Sequence, residues 1–60
     1  MPHFMTAGQA AKAAGLSYNT MLSLSKREDA PVIYVGNSPR FNTGMFYEWL
    51  DALTKEKAAI

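Results

Sequence analysis

The segment from Ala7 to Arg27, AGQAAKAAGLSYNTMLSLSKR, constrains this chain more than any other. Apolar residues stand at Ala10, Ala14, Leu16, Met21 and Leu24, and a small Ala11 lies four places before Gly15. That spacing predicts two short helices joined by a tight turn. Gly15 can take the left-handed backbone conformation that a Cβ resists, and Ala11 must be small where the second helix crosses it. Leu16 is then expected to plug the corner, and Ser17 to cap the second helix by accepting a hydrogen bond from a free N–H of its first turn. Met21 and Leu24, three apart, point inward. At about 100° per residue, Asn19, Ser23 and Lys26 turn outward together, with Thr20 and Arg27 on one flank and Leu22 on the other. Amide, hydroxyl and cationic groups in one stripe on the second helix of such a pair suit the reading of base edges in a DNA major groove. The plainer alternative is an alanine-rich helical hairpin with a solvated outer face, and the rest of the chain weighs against it.

Upstream, Met1 to Met5 reads as a short lead-in with Phe4 or Met5 packed under the first helix, and Thr6 is the expected N-cap of a helix over 7–14, although Gly8 weakens its first turn. Downstream, Lys26-Arg27-Glu28-Asp29 makes a polar exit, and Pro31 stops any helix by disfavouring helical geometry at Ala30. Val32 to Val35 has high β-propensity, Gly36-Asn37-Ser38-Pro39 supplies turn residues, and Arg40-Phe41-Asn42 returns as a second strand. A two-residue period predicts Ile33, Val35 and Phe41 on the buried face of this hairpin and Tyr34 and Arg40 on the other. The last element is a helix over 44–57, capped by Asn42 or Thr43. It carries Phe46, Trp49, Leu50 and Leu53 on one side and Glu48 and Asp51 on the other. Lys55 and Lys57 suit its C-terminal dipole, and Ala58 to Ile60 is expected to fray. The expected core is Trp49, Leu50, Phe46, Phe41, Ile33, Leu16, Met21 and Leu24.

Sixty residues make one small domain, which buries only about 60% of the surface its unfolded chain exposes. With no cysteine, neither disulfides nor thiolate metal sites can staple it, so the 48% of apolar residues must hold it together. His3 is the only histidine and has no second ligand near it, so no metal or cofactor is expected. There is no Gly-rich phosphate loop, and Glu48 and Asp51 sit on a solvated face rather than in a pocket, which argues against an enzyme and leaves no catalytic residue to name. The N-terminus has no basic n-region and the longest apolar run, Val32 to Val35, is far too short to span a bilayer. A cytoplasmic protein without a membrane partner is the expectation. Net charge is only +1, but its distribution is informative: no acid precedes Glu28, whereas Lys12, Lys26 and Arg27 all fall in the helical pair.

The order TAGQAAKAAGLSYNTMLSL, then APVIYVGNSPRF, then MFYEWL resembles the excisionase and MerR-type winged helix-turn-helix DNA-binding domains. The likeness runs from Thr6 to about Leu53. Its most specific pieces are Gly15-Leu16-Ser17 with Thr20, Val35-Gly36 followed by Arg40-Phe41, and Trp49-Leu50. The resemblance implies a mainly α fold with a small β-hairpin wing: a winged helix-turn-helix with a helix over 7–14, a recognition helix over 18–27, a wing over 32–42 and a closing helix over 44–57. It places Ser17, Tyr18, Asn19, Thr20, Ser23, Lys26 and Arg27 at the recognition helix, and Asn37, Ser38 and Arg40 in the wing. Lys12 adds a backbone contact from helix one. Relatives commonly carry basic residues where this chain has Tyr18, Asn19, Ser23, Tyr34, Asn37 and Ser38, so affinity is expected to draw on neighbouring copies or a partner protein.

Sixty residues leave no room for a dimerisation helix or effector domain. The chain therefore resembles a phage or mobile-element excisionase, an architectural protein that binds and bends double-stranded attachment-site DNA to direct a tyrosine-type recombinase, and performs no chemistry itself. A small transcriptional regulator of the same fold is the first alternative and a terminase-small-subunit-like DNA module the next. A protein-interaction module on the same scaffold stands in a different class, suited by the near-neutral charge and by Leu22 and Tyr34 on the outer surface.

Overall fold

Thr6 ends one element and starts the next. In the computed structural model, which describes residues 3–59, it is the last residue of strand β1 (Phe4–Thr6) and the N-cap of helix α1 (Ala7–Ala14). Its hydroxyl accepts from the Gln9 amide at 3.1 Å while the Gln9 side chain accepts from the Thr6 amide at 3.0 Å, a reciprocal pair that satisfies two donors. α1 ends as expected at Gly15, whose φ of 73° is left-handed. Leu16 N–H reaches back to the Ala11 carbonyl at 2.9 Å and Gly15 N–H to Lys12 at 3.3 Å, closing the turn with two backward bonds. Ala10 and Ala11 are buried where helix α2 (Tyr18–Ser25) packs on α1.

α2 is shorter than expected. Its last helical residue is Ser25, Lys26 caps it, and Arg27 lies beyond it. The four carbonyls that a helix end leaves without partners each find a donor. Ser25 Oγ donates to Leu22, the Lys26 amide to Ser23, the Arg27 amide to Leu24, and Tyr34 Oη to Ser25.

Strands β2 (Val32–Val35) and β3 (Ser38–Asn42) form the hairpin, and β3 pairs on its other side with β1, giving an antiparallel sheet in the order β1-β3-β2. β1 is an addition to the sequence reading, which took this stretch as a lead-in. The hairpin turn is only Gly36-Asn37, so Val35 pairs with Ser38, Ile33 with Arg40 and Val32 with Phe41. Gly36 has a φ of 65° and Asn37 does not share that sign, the pattern of a type II′ turn. This register corrects the expected face. Phe41 is fully buried and shares its face with Val32, Tyr34 and Pro39, whereas Ile33 and Val35 are 49% and 57% exposed on the face of Arg40. Alternation within one strand does not set the parity of its partner; the length of the turn does. Pro39 is tolerated in the central strand for a related reason. The Asn42 amide donates toward β2's side, to Pro31, so the Pro39 nitrogen faces the opposite side, where β1 has already ended at the partner of Arg40.

Asn42 repeats the device of Thr6: it ends β3 and caps helix α3 (Thr43–Glu56), accepting from the Met45 amide at 3.0 Å. α3 stops one residue earlier than expected. Lys57 leaves it with a left-handed φ of 53°, and Ala58 is held by a bond from its amide to Leu53 and packs against the core, so it is not frayed. Met1, Pro2 and Ile60, in the expected lead-in and tail, lie outside the described residues. α3 packs Phe46, Trp49 and Leu53 inward, with Phe41 edge-on to Phe46 at 5.7 Å between centroids and tilted against Trp49 at 5.9 Å. Met5, Ala7, Ala10, Ala11, Met21 and Leu24 complete the core. Leu50 is half-buried at its edge, and Leu16, expected as a plug, is 37% exposed. It lines an apolar groove of about 270 Å³ with Ala14, Leu24, Leu50 and Leu53. No helix among the described residues is long and apolar enough to cross a membrane.

Candidate nucleic-acid interface

The expected stripe forms. Ser17 caps α2 by accepting from the Thr20 amide at 3.2 Å, which sets the rotation of the helix and leaves Asn19, Ser23 and Lys26 exposed along it. Met21 and Leu24, on the opposite side, are fully buried or nearly so. Tyr18 projects from the first turn, 55% exposed. Leu22 is half-buried and packs against the core rather than standing on the outer face. Ser17 and Thr20 are less free than the sequence suggests: Ser17 Oγ also donates to Thr20 Oγ1 at 2.7 Å, so the two hydroxyls hold each other. Ser17 is thus occupied as a cap, and Thr20 keeps its own proton and one lone pair.

Arg27 does not join the stripe. Its Nε and Nη2 donate to the Asp29 carboxylate at 2.9 and 3.3 Å, and Nη2 also reaches Glu56 of α3 at 2.7 Å. Asp29 holds the guanidinium even more firmly protonated than usual. In return Arg27 pulls the Asp29 carboxyl below the ordinary carboxylate range, and partial desolvation opposes the shift. The Trp49 indole nitrogen is buried and completes no hydrogen bond within the protein. Three cations of the expected set remain outside any ion pair among the described residues: Lys12 on α1, Lys26 at the end of α2, and Arg40 on β3.

On the hairpin, Asn37 and Ser38 are exposed at the tip. Arg40 lies two residues back, half-buried, opposite Ile33 and Thr6, with its Nη1 near the Pro39 carbonyl at 3.4 Å. The hairpin and α2 meet through Tyr34, whose hydroxyl donates to the Ser25 carbonyl at 3.2 Å. This residue was placed on the wrong face from sequence. Any hairpin turn with an even number of residues between Val35 and Arg40 or Ser38 puts Tyr34 on the face of Phe41, as the two-residue turn does. The Arg27 to Asp29 pair was available to sequence reasoning as a two-residue spacing of opposite charges; Glu56, 29 residues from Arg27, was not.

The arrangement presents Asn19 and Ser23 on α2 and Asn37 and Ser38 at the hairpin tip, with Lys12 on α1, Lys26 at the end of α2 and Arg40 on β3 as separate cations. Compared with protein-family models, with curated proteins and with solved structures, the chain matches none.

Proposed function

We propose that this chain is a winged helix-turn-helix that binds double-stranded DNA, with α2 in the major groove and the β2-β3 hairpin as a wing on the adjacent backbone or minor groove. The observation that carries the reading is the exposed line of Asn19, Ser23 and Lys26 on α2, which ends at the carbonyl to which the hairpin is tied. Asn19 offers an amide that can pair with adenine, and Ser23 a hydroxyl for either base. Asn37 and Ser38 meet sugar or phosphate from the wing, while Lys12, Lys26 and Arg40 neutralise phosphates. Tyr18, exposed at the first turn of α2, offers its hydroxyl to a backbone phosphate at the groove edge. Arg27, held by two carboxylates, is removed from the proposed contact set.

Three phosphate contacts give little affinity by themselves. Several copies on adjacent sites, each with a wing in a minor groove, would accumulate curvature that is repaid by added contacts. On this basis the role is that of an excisionase, bending attachment-site DNA so that a tyrosine-type recombinase assembles for excision. The test is a titration of duplexes at several salt concentrations, with the site moved along a fragment. A log–log salt slope near about −3 per monomer is expected. Mobility should depend on site position, and two-site occupancy should exceed the product of the single-site values. Independent binding to straight DNA, with recombination unchanged when the protein is removed, would favour a small transcriptional regulator. Absence of duplex binding at low salt would favour an interaction module, a reading supported by the half-exposed Ile33 and Val35 on the open face of the sheet.

A further inference from the structure

The tip of the hairpin overhangs the sheet. β1 reaches only as far as Arg40, so the pairs Tyr34 with Pro39 and Val35 with Ser38 have no third strand beside them. A two-stranded ribbon of this kind twists freely unless something ties it down. Pro39 is buried and seats the root of the overhang. Beyond it, among the described residues, the Tyr34 hydroxyl makes the only side-chain hydrogen bond between the hairpin and α2. Its acceptor is a helix-terminal carbonyl that has no donor within α2. The ring itself is 52% exposed, so packing does not fix it.

We infer that Tyr34 is a positioning residue, whose bond to the Ser25 carbonyl sets the angle between the hairpin tip and α2. Its functional consequence rests on the DNA-binding reading above: the bond fixes the spacing at which the wing and α2 meet adjacent grooves. The hydroxyl can be removed without disturbing the core, because it contributes one side-chain hydrogen bond and no buried apolar surface, although Ser25 is only 3% exposed and its carbonyl then loses its donor. Loss of the bond then appears as loss of orientation rather than loss of fold.

The experiment compares the full chain with its Tyr34→Phe variant. The chain has no cysteine, so Ser23→Cys and Asn37→Cys allow nitroxides to be placed on α2 and on the hairpin tip alone. Without DNA, the parent should give one narrow distance distribution and Tyr34→Phe a broader one, with cooperative unfolding retained at a lower midpoint. Equal widths overturn the inference whatever the DNA result. With DNA, and without the labels, Tyr34→Phe should bind roughly two- to tenfold more weakly, the range that one net hydrogen bond spans. Its salt slope should stay close to that of the parent, because Arg40 is paired with both Thr6 and Ile33 and does not move with the uncharged tip of Asn37 and Ser38. Hydroxyl-radical protection should vanish on the hairpin side and persist under α2. An unchanged affinity and footprint beside a broadened distribution overturn the functional half. A parent chain that binds no duplex at all overturns the DNA reading, while the distance measurement still decides whether Tyr34 sets the angle.

Discussion

The α1-α2 pair and the β2-β3 hairpin are built by different means. α1 is closed almost entirely by its neighbours: Thr6 and Gln9 at the front, Gly15 and Leu16 at the back. The hairpin closes its own turn with Gly36 and Asn37 but owes its place to residues of other elements. These are β1 at its back, Phe46 and Trp49 beneath Phe41, and Ser25 beside Tyr34. Local chemistry specifies the first region, and register specifies the second. The difference can be broken by substitution, because it predicts which side chains on the hairpin matter to stability and which do not.

The largest effect is expected at Phe41, the residue through which the hairpin enters the core. Phe41→Ala should cost about 3–5 kcal/mol, a large share of what so small a domain has. Ile33→Ala, on the half-exposed face one register position away, should cost no more than about 0.5 kcal/mol. Urea unfolding of the two variants measures both. A reversed order would mean that the hairpin sits the other way round and that Ile33 is its buried anchor.

The same contrast explains what could be read from the sequence. The three helices and the hairpin were legible because Thr6, Ser17, Asn42, Gly15 and Pro31 carry start and stop signals within a few residues of the ends they mark. The apolar stripe of α3 was legible because its four large residues recur at helical spacing. β1 was not, since FMT is too short to show alternation and becomes a strand only by pairing with β3. Ile33 was misplaced because alternation was applied within each strand and not carried across the turn: the expected four-residue turn and the observed two-residue one both set Phe41 opposite an even-numbered residue of β2, with Ile33 on the other face. In the candidate site, Asn19, Ser23 and Lys26 followed from helical geometry alone. Arg27 did not, because Glu56, which helps hold it, is brought there by the fold, and the end of α2 at Ser25 moved Arg27 off the helix.

A smaller effect sharpens the local side of the comparison. Gly15 stands at a φ of 73°, and a Cβ added there would meet nothing within 4 Å. Any cost of Gly15→Ala is therefore conformational rather than steric crowding, and should amount to about 1–2 kcal/mol. Thermal unfolding should show it as a lower midpoint with the fold retained. A neutral outcome would indicate that the α1-α2 turn relaxes to another conformation, and that the pair is less rigidly specified by its own residues than the hydrogen bonds at Gly15 and Leu16 imply.

The smallest effect lies at the seam between the two regions, where Arg27 ties the segment entering β2 to the end of α3. Asp29 is drawn below the ordinary carboxylate range by the hydrogen bonds from Arg27, so its ionised form is favoured more in the folded chain than in the unfolded one. The sign follows from linkage: this contribution is fully present above the unfolded value, about 4, and is lost as pH falls through the lower folded value. Asp29 and Arg27 are both solvent-accessible, and ion pairs of that kind contribute modestly. Asp29→Asn should accordingly lower the urea midpoint slightly at pH 7, and the gap to the parent chain should close progressively as the pH is taken well below 4. The same closing gap is expected for Arg27→Ala, because either substitution removes the interaction that shifts the carboxyl. A gap that stays constant through the acid range would assign the loss to altered packing around Trp49 instead of to charge, and the seam would then belong with the core rather than with the polar surface that separates the helices from the hairpin.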